Sequence, residues 1–97
     1  MEEVSYRAAR LLRVVGHPLR YRIVELLSHQ HLTSLQIARA LKRKQPTVSN
    51  SLSTLKKIDV VSYKRIDERL VYWLKVPEVT ALIEWARKCV RKTQRVG

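Results

Sequence analysis

The sequence predicts a mostly α-helical domain with one small β-hairpin, in the order of four helices, a hairpin and a fifth helix. Three observations predict this class: apolar residues recur at helical spacing up to residue 58, β-branched and aromatic residues then dominate two short runs, and helical spacing returns after Pro77. With 97 residues, two glycines, three prolines and no internal repeat, the chain suits a single domain over 1–97.

The first two helices are predicted from apolar stripes that a glycine and a proline separate. The first helix lies within 1–15 and ends at Gly16, and the second begins at Pro18, because proline suits a first helical turn. The first stripe consists of Val4, Ala8, Leu11, Leu12 and Val15, and the second of Leu19, Ile23, Leu26 and Leu27.

A pair of short helices joined by a tight turn is predicted over 34–58. Thr33 and Gln36 have the spacing of a capping box, which starts the third helix. The basic run 42–44 breaks this helix, and Pro46 opens the fourth. The apolar positions of the fourth helix are Val48, Leu52, Leu55 and Ile58.

The pattern changes after Asp59, which is predicted to end the fourth helix in a left-handed conformation that Asp tolerates. Residues 60–65 and 69–74 are predicted strands, and 66–68 connect them. The last helix follows over 77–92. Its apolar face is wider than a lone surface helix needs and comprises Val79, Leu82, Ile83, Trp85, Ala86, Cys89 and Val90.

Two short helices with a tight turn, followed by a ribbon, describe a winged helix-turn-helix, with 34–58 as the helix-turn-helix and 60–75 as the wing. The strings VGHPLRYRIVELL, LTSLQIARAL and QPTVSNSLSTLKKIDVV, with the hairpin to VYWL, resemble the ArsR/SmtB type of transcriptional regulator. The resemblance runs from about Leu11 to Leu74, and it implies a DNA-binding regulator. Segments 1–15 and 77–92 match the family's dimerisation helices by position only.

The fourth helix is predicted to read DNA through the side opposite Val48. Asn50 there pairs well with adenine, short hydroxyl side chains permit close approach, and the flanking cations suit phosphates. A merely solvated polar face is the alternative. The predicted DNA-contact residues, including those of the wing, are Lys42, Arg43, Lys44, Gln45, Pro46, Thr47, Ser49, Asn50, Ser53, Thr54, Lys56, Lys57, Lys64, Arg65 and Arg69.

The turn between the two helices departs from the family pattern. Lys42, Arg43 and Lys44 stand where the family usually has glycine, an apolar residue and a capping Ser or Thr. Without the glycine we expect another turn geometry, and without the cap the first N–H groups of the fourth helix lack their usual acceptor. Either a DNA phosphate, or Gln45 or water, is expected to fill this role.

The wing also departs from the family pattern. Its tip holds Asp67 and Glu68, which repel phosphate, whereas Lys64, Arg65 and Arg69 lie just behind the tip. We expect the tip either to stay out of the minor groove while these cations contact the DNA backbone, or to fold back onto the basic face. The alternative is a solvated hairpin that balances its own charges.

A homodimer is predicted from the outer helices, which should pack across a two-fold axis. The predicted dimer-interface residues are Val4, Ala8, Leu11, Leu82, Ile83, Trp85, Ala86, Cys89 and Val90. For Cys89 three interpretations stand: a small buried apolar residue, a thiol that meets its two-fold mate and responds to oxidants, or a lone reactive thiol.

No metal site and no cofactor are predicted. The thiolate site of metal-sensing relatives needs a Cys-x-Cys pair in the stretch that reads HLTSLQIA here, and the site between their last helices needs a histidine, which 77–92 lacks. His29 and His31 supply too few ligands for a tetrahedral ion, and His17 suits a helix entry.

The net charge of +12, of which residues 39–75 carry +7, favours a polyanionic partner. We therefore expect a homodimer that binds double-stranded DNA and represses transcription by occupying a promoter, with its effector unassigned. A DNA-coating protein of low sequence specificity, or a winged helix that contacts protein or RNA, is the alternative. No paired acid and base groups suggest an enzyme, and no segment suggests a membrane span or signal peptide, so we expect a cytoplasmic, nucleoid-associated protein.

Overall fold

The structure is a computed structural model, and it describes residues 2–94. The helices and strands follow one another as α1 (Glu3–Val15), α2 (Pro18–Leu27), β1 (Leu32–Thr33), α3 (Ser34–Leu41), α4 (Gln45–Lys57), β2 (Val61–Ile66), β3 (Arg69–Leu74) and α5 (Val79–Gln94). The predicted fold class and element order are confirmed, with one added strand. Within residues 2–94, no helix combines the length and the apolar character needed to span a bilayer.

The wing belongs to a three-stranded antiparallel sheet in the order β1-β3-β2. The short strand β1 pairs Leu32 with Tyr72, which joins the loop before α3 to the base of the hairpin. The predicted two-stranded ribbon is therefore incomplete. Two residues are too few to show a period, so this strand had no signal in the sequence.

The hairpin closes with a two-residue turn at Asp67 and Glu68. Both residues have positive φ, 49° and 65°, which is the backbone of the tight turn that matches the twist of a hairpin. Ile66 pairs with Arg69, so the predicted connection 66–68 is one residue too long. Asp tolerates this conformation, but Glu does so poorly.

The joint between α1 and α2 depends on a close backbone approach. The Gly16 N–H donates to the carbonyl oxygen of Leu12 at 2.8 Å, and a Cβ on Gly16 would lie 2.8 Å from that oxygen. Gly16 has an ordinary φ of −72°, so space, not left-handed backbone, requires the glycine. His17 then caps α2, because its Nδ1 accepts from the Leu19 N–H at 3.3 Å.

The start of α3 has the predicted capping box. The Gln36 N–H donates to Thr33 Oγ1 at 3.1 Å, and the Thr33 N–H donates to Gln36 Oε1 at 2.9 Å. Two N-terminal donors are thus satisfied at the entry to the helix-turn-helix, which confirms this prediction.

The core lies where α2, α3 and α4 meet the inner end of the sheet. Its fully buried side chains include Ile23, Ile37, Leu52, Leu55, Val60 and Val61. α1 packs on α2 and α4, whereas α5 packs on α2. Leu12, assigned to the apolar stripe of α1, is exposed instead, because no other helix within residues 2–94 covers that side of α1.

The substitution Glu68→Gly is expected to stabilise the fold by about 1 kcal/mol, because it removes the cost of left-handed backbone from a residue with a Cβ. Urea denaturation measures the free energy of unfolding. Asp67→Gly is the matched control and should gain less, since Asp adopts this conformation more readily. Equal gains at both positions would contradict the assignment of strain to Glu68.

Candidate nucleic-acid interface

One side of α4 is buried and the other is open to solvent, as the helical spacing predicts. Val48, Leu52 and Leu55 have no exposed surface. The predicted outward residues are exposed or half-buried: Gln45, Pro46, Thr47, Ser49, Asn50, Ser53, Thr54, Lys56 and Lys57. Ser51 is buried as well, which the sequence analysis missed, although its position three residues after Val48 places it on the core side.

The turn between α3 and α4 contains a lysine in left-handed conformation. Lys42 has φ 55° and ψ 47°, and this backbone lets the Arg43 N–H donate to the Ala38 carbonyl at 3.0 Å. The expectation of another turn geometry is therefore wrong. Lys42 adopts the geometry that glycine would give, because only a left-handed residue completes this hydrogen-bonded helix end.

The first turn of α4 has no side-chain cap. Lys44 occupies the N-cap position without a side-chain hydrogen bond to the helix. Gln45 Nε2 donates to Ser34 Oγ at 3.1 Å, which ties the start of α4 to the start of α3. The interpretation of Gln45 as the cap is thus wrong. Within residues 2–94, the N–H groups of Gln45 and Thr47 in this turn have no hydrogen-bond acceptor, and Pro46 has no N–H.

The helix-turn-helix carries positive charge without compensation. No acidic residue occurs between Glu25 and Asp59 in the sequence. The six cations of this stretch are Arg39, Lys42, Arg43, Lys44, Lys56 and Lys57. None of the six lies within 4 Å of a carboxylate among residues 2–94. The positive potential of this face is therefore available to a polyanion.

Aromatic contacts join the end of α4 to the wing. Lys56 Nζ lies 5.9 Å from the centre of the Tyr63 ring, and the Tyr63 and Tyr72 ring centres are 5.5 Å apart. Burial raises the pKa of the Tyr72 hydroxyl, and the neighbouring Tyr63 raises it further. Thr54 Oγ1 donates to the Asn50 carbonyl at 3.2 Å, so this hydroxyl is tied to its own helix.

The wing cations do not share one face of the hairpin. Side chains alternate along β2, so Arg65 lies on the face of Tyr63 and Lys64 on the other. Arg69 is opposite Ile66 in the register and therefore shares the face of Lys64. All three cations are exposed, but the structure does not bring them into one cluster.

The predicted dimer residues of α5 separate into two groups. Ile83 is only 6% exposed and belongs to the protomer core, which corrects its assignment to an exposed interface. Leu82 is half-buried, and the exposed group comprises Trp85, Ala86, Cys89 and Val90. The interpretation of Cys89 as a buried residue is wrong for the protomer, because only the first half of α5 is covered.

On α1, Val4 and Ala8 are exposed, and Leu11 is half-buried against the core. Trp85 and Val90 of α5 expose 62% and 53% of their surfaces. Large apolar side chains thus remain uncovered on both outer helices.

Two histidines have structural roles. His17 caps α2, and the His31 ring centre lies 5.7 Å from that of Trp73. Within residues 2–94, no three side chains of the His, Cys, Asp or Glu type gather closely enough to hold a metal ion.

Comparisons with known proteins agree with this geometry. The sequence profile described as "Bacterial regulatory protein, arsR family" matches residues 17–63, which span α2 to the first half of β2. The transcriptional repressor PagR of Bacillus anthracis is 35% identical over 77 residues, which cover 78% of this chain and 77% of PagR.

Solved structures show the same architecture. HlyU from Vibrio cholerae N16961 superposes with a TM-score of 0.82 at 26% identity, over 92% of this chain and 97% of HlyU. A homodimeric winged helix-turn-helix DNA-binding domain from Mycobacterium bovis, described as a possible ArsR-family transcriptional regulator, gives a TM-score of 0.85 at 21% identity, over 98% and 88% of the two chains.

The substitution Ile83→Ala is expected to lower the free energy of unfolding by about 2–5 kcal/mol, because it leaves a cavity between α5 and α2. Denaturant unfolding at low protein concentration measures this decrease. Ala86→Gly, at an exposed position one turn later, is the control and should cost about 1 kcal/mol. If Ile83→Ala lowers the free energy of unfolding no more than Ala86→Gly does, the assignment of Ile83 to the protomer core is wrong.

Proposed function

The chain belongs to the ArsR family of bacterial regulatory proteins, and we propose that it is a homodimeric repressor that recognises a specific DNA sequence and acts by occupying its promoter. Its family consists of DNA-binding transcriptional regulators, so the prediction that the chain is not an enzyme is confirmed. The sequence specificity, the dimer, the mode of repression and a location at the nucleoid are the proposal.

The observation that carries the proposal is the exposed polar side of α4, which has at both ends cations with no carboxylate within 4 Å among residues 2–94. A helix of this size enters the major groove of DNA and reads base edges with its outward side chains. Asn50 is the residue proposed to read a base, since its amide matches the donor and acceptor of adenine. Ser53, exposed one turn later, allows the helix to approach closely.

Phosphates are proposed to bind at the start of α4. The uncapped N–H groups of Gln45 and Thr47 carry the positive end of the helix dipole, and Arg43 and Lys44 add two full charges. One DNA phosphate satisfies N–H donors for which residues 2–94 supply no acceptor. Lys56 and Lys57 are proposed to contact phosphates near the other end.

The wing is proposed to contact the DNA backbone with its sides, not its tip. Asp67 and Glu68 repel phosphate at the turn, whereas Arg65 shares the face of Tyr63, which contacts the end of α4. Lys64 and Arg69 lie on the other face. We therefore propose Arg65 as the first wing contact, with Lys64 and Arg69 reaching phosphates from the opposite side.

The dimer is proposed to form through α1 and the second half of α5. Val4 exposes 74% of its surface, and Trp85 and Val90 also remain uncovered, which is costly for apolar side chains of a small domain. The M. bovis domain is a homodimer, which supports this assembly, and PagR is a transcriptional repressor, which supports the proposed repression. Paired α4 helices then reach half-sites about 34 Å apart.

A DNA-coating protein of low specificity is the second candidate. A dimer doubles the charge of +12, and Asn50 is the one side chain of α4 that we propose to read a base. The discriminating measurement selects a preferred duplex from a random library and compares its affinity with that of a random duplex. At ~150 mM salt a ratio of about 10³ or more supports the repressor. A ratio near one supports the DNA-coating protein. Preference for RNA, or absence of nucleic-acid binding, supports a winged helix that contacts RNA or protein.

The substitution Asn50→Ala is expected to cost about 1–3 kcal/mol on the selected site and little on random duplex, because it removes a base contact. Lys44→Ala should weaken binding to both duplexes. It should also reduce the salt slope by about 0.9 for each phosphate that the lysine no longer neutralises, twice per dimer. Electrophoretic or fluorescence titrations at several salt concentrations measure both effects.

Lys92→Ala on α5 is the control for that pair, and its effect should be smaller than that of Lys44→Ala. If Asn50→Ala and Lys44→Ala change DNA affinity by the same factor on every sequence, Asn50 does not read a base. That result favours the DNA-coating protein.

The native chain is expected to sediment as a dimer at micromolar concentration, and Trp85→Ala is expected to weaken the dimer by about tenfold or more, because Trp is a frequent interface anchor. Leu35→Ala, an exposed apolar residue on α3, is the matched control and should leave the dimer unchanged. A stable monomer for the native chain would contradict the half-site arrangement.

A further inference from the structure

The ring of Tyr63 lies where the wing meets the last turn of α4. Tyr63 exposes 45% of its surface and follows two residues after Val61, which is fully buried in the core. Because side chains alternate along a strand, both residues lie on the side of β2 that faces the core. Lys56 Nζ lies 5.9 Å from the centre of the Tyr63 ring, which is within the range of a cation–π contact. This contact therefore joins α4 to the wing.

The central strand of the sheet supports the ring of Tyr63. Tyr63 pairs with Tyr72 in the register of β2 and β3, and the two ring centres are 5.5 Å apart with ring planes inclined by 47°. Tyr72 exposes only 9% of its surface, and on the other side of β3 it pairs with Leu32 of β1. Because both neighbouring strands hold Tyr72 in place, it gives the Tyr63 ring a firm support.

Two cations from different elements lie on the side of this ring. Lys56 belongs to the last turn of α4, whereas Arg65 lies on the Tyr63 face of β2, about 6.6 Å further along the strand. Neither cation forms an ion pair within residues 2–94. An ammonium group has three donors, and a ring face engages only one side of it. Both charges therefore remain available to DNA phosphates.

We propose that Tyr63 is a positioning residue for DNA binding, which orders Lys56 and fixes the wing against α4 so that Lys56 and Arg65 engage the DNA backbone as one unit. A long cationic side chain that is already ordered loses less freedom on binding. That loss weakens affinity about two- to tenfold for each side chain left mobile. Tyr63 acts through the two cations and not by touching DNA. The inference rests on the proposed function, since it requires the chain to bind DNA through α4 and the wing.

The test is a double-mutant cycle of Lys56→Ala and Arg65→Ala, with the affinity of the full chain for a random duplex as the measured quantity. If the two cations engage as one unit, removal of either one already loosens the other. The double variant should therefore lose about threefold less affinity than the product of the two single losses predicts. In a Tyr63→Ile background the two losses should multiply, because isoleucine suits a strand but offers no ring to a cation.

Three further variants make the cycle specific to the ring. Tyr63→Phe keeps the ring face and removes only the hydroxyl, so it should retain the coupling. Ile66→Ala changes an exposed apolar residue on the opposite face of β2, and it should retain the coupling as well. Lys57→Ala in place of Lys56→Ala should give losses that multiply, because Lys57 is rotated by about 100° around α4 from Lys56.

A second readout needs no DNA. In NMR spectra of the native chain the Tyr63 ring should shift the side-chain proton resonances of Lys56 upfield, and the shift should persist in Tyr63→Phe and vanish in Tyr63→Ile. Absence of this shift from the native chain overturns the positioning role.

The cycle has its own contradicting outcomes. The positioning role is overturned if the coupling is missing from the native chain, survives Tyr63→Ile, is abolished by Tyr63→Phe, or appears equally with Lys57→Ala. A native chain that binds duplex in any of these cases retains the proposed function. A native chain that binds no duplex overturns the proposed function, and the positioning role with it.

Discussion

The packing of one side of α4 into the protomer core is the interaction on which the rest of the structure depends. Val48, Leu52 and Leu55 are fully buried, and burial of each such side chain stabilises the fold by about 1.5–3 kcal/mol. Rotating α4 about its axis would expose all three at once. The direction of the polar side of α4 is therefore determined by hydrophobic packing, so the residues proposed to face DNA need no stabilising role of their own.

The same constraint explains where the domain is incomplete. The core uses the inner faces of α2, α3 and α4 and the base of the sheet, and residues 2–94 form no further layer that covers the outer helices. α1 and α5 therefore keep apolar side chains in solvent. Charge follows a similar division: within residues 2–94 the carboxylates that form ion pairs are Glu25 and Asp59, which lie before and after the helix-turn-helix and not within it.

The sequence predicts those features that a regular period or a short spacing encodes. The buried side of α4 follows from residues three and four apart, and the capping box of α3 follows from Thr33 and Gln36. The spacing of apolar residues along α5 does not indicate which part of the helix another element covers. The sequence therefore did not distinguish buried Ile83 from exposed Cys89.

Backbone hydrogen bonding and long-range packing account for the other differences. Lys42 adopts left-handed backbone because the helix end requires it, and a residue-type preference does not override that requirement. The short strand β1 depends on a partner about 40 residues away, so it leaves no local pattern from which it could be predicted.

The strand β2 lies at an edge of the sheet, so the backbone N–H and C=O groups on its outer side have no partner strand within the sheet. This edge affects how the protein behaves in solution. Tyr63 and Ile66 expose apolar surface along this edge, beside the charges of Lys64 and Arg65. Such charges keep edge strands of different molecules apart by repulsion. Salt that suppresses this repulsion, with a screening length of only about 3 Å at 1 M, removes the barrier to edge-to-edge association. Concentrated salt keeps many basic proteins in solution because it releases bound nucleic acid. For this protein, the same salt favours self-association through the β2 edge of the wing.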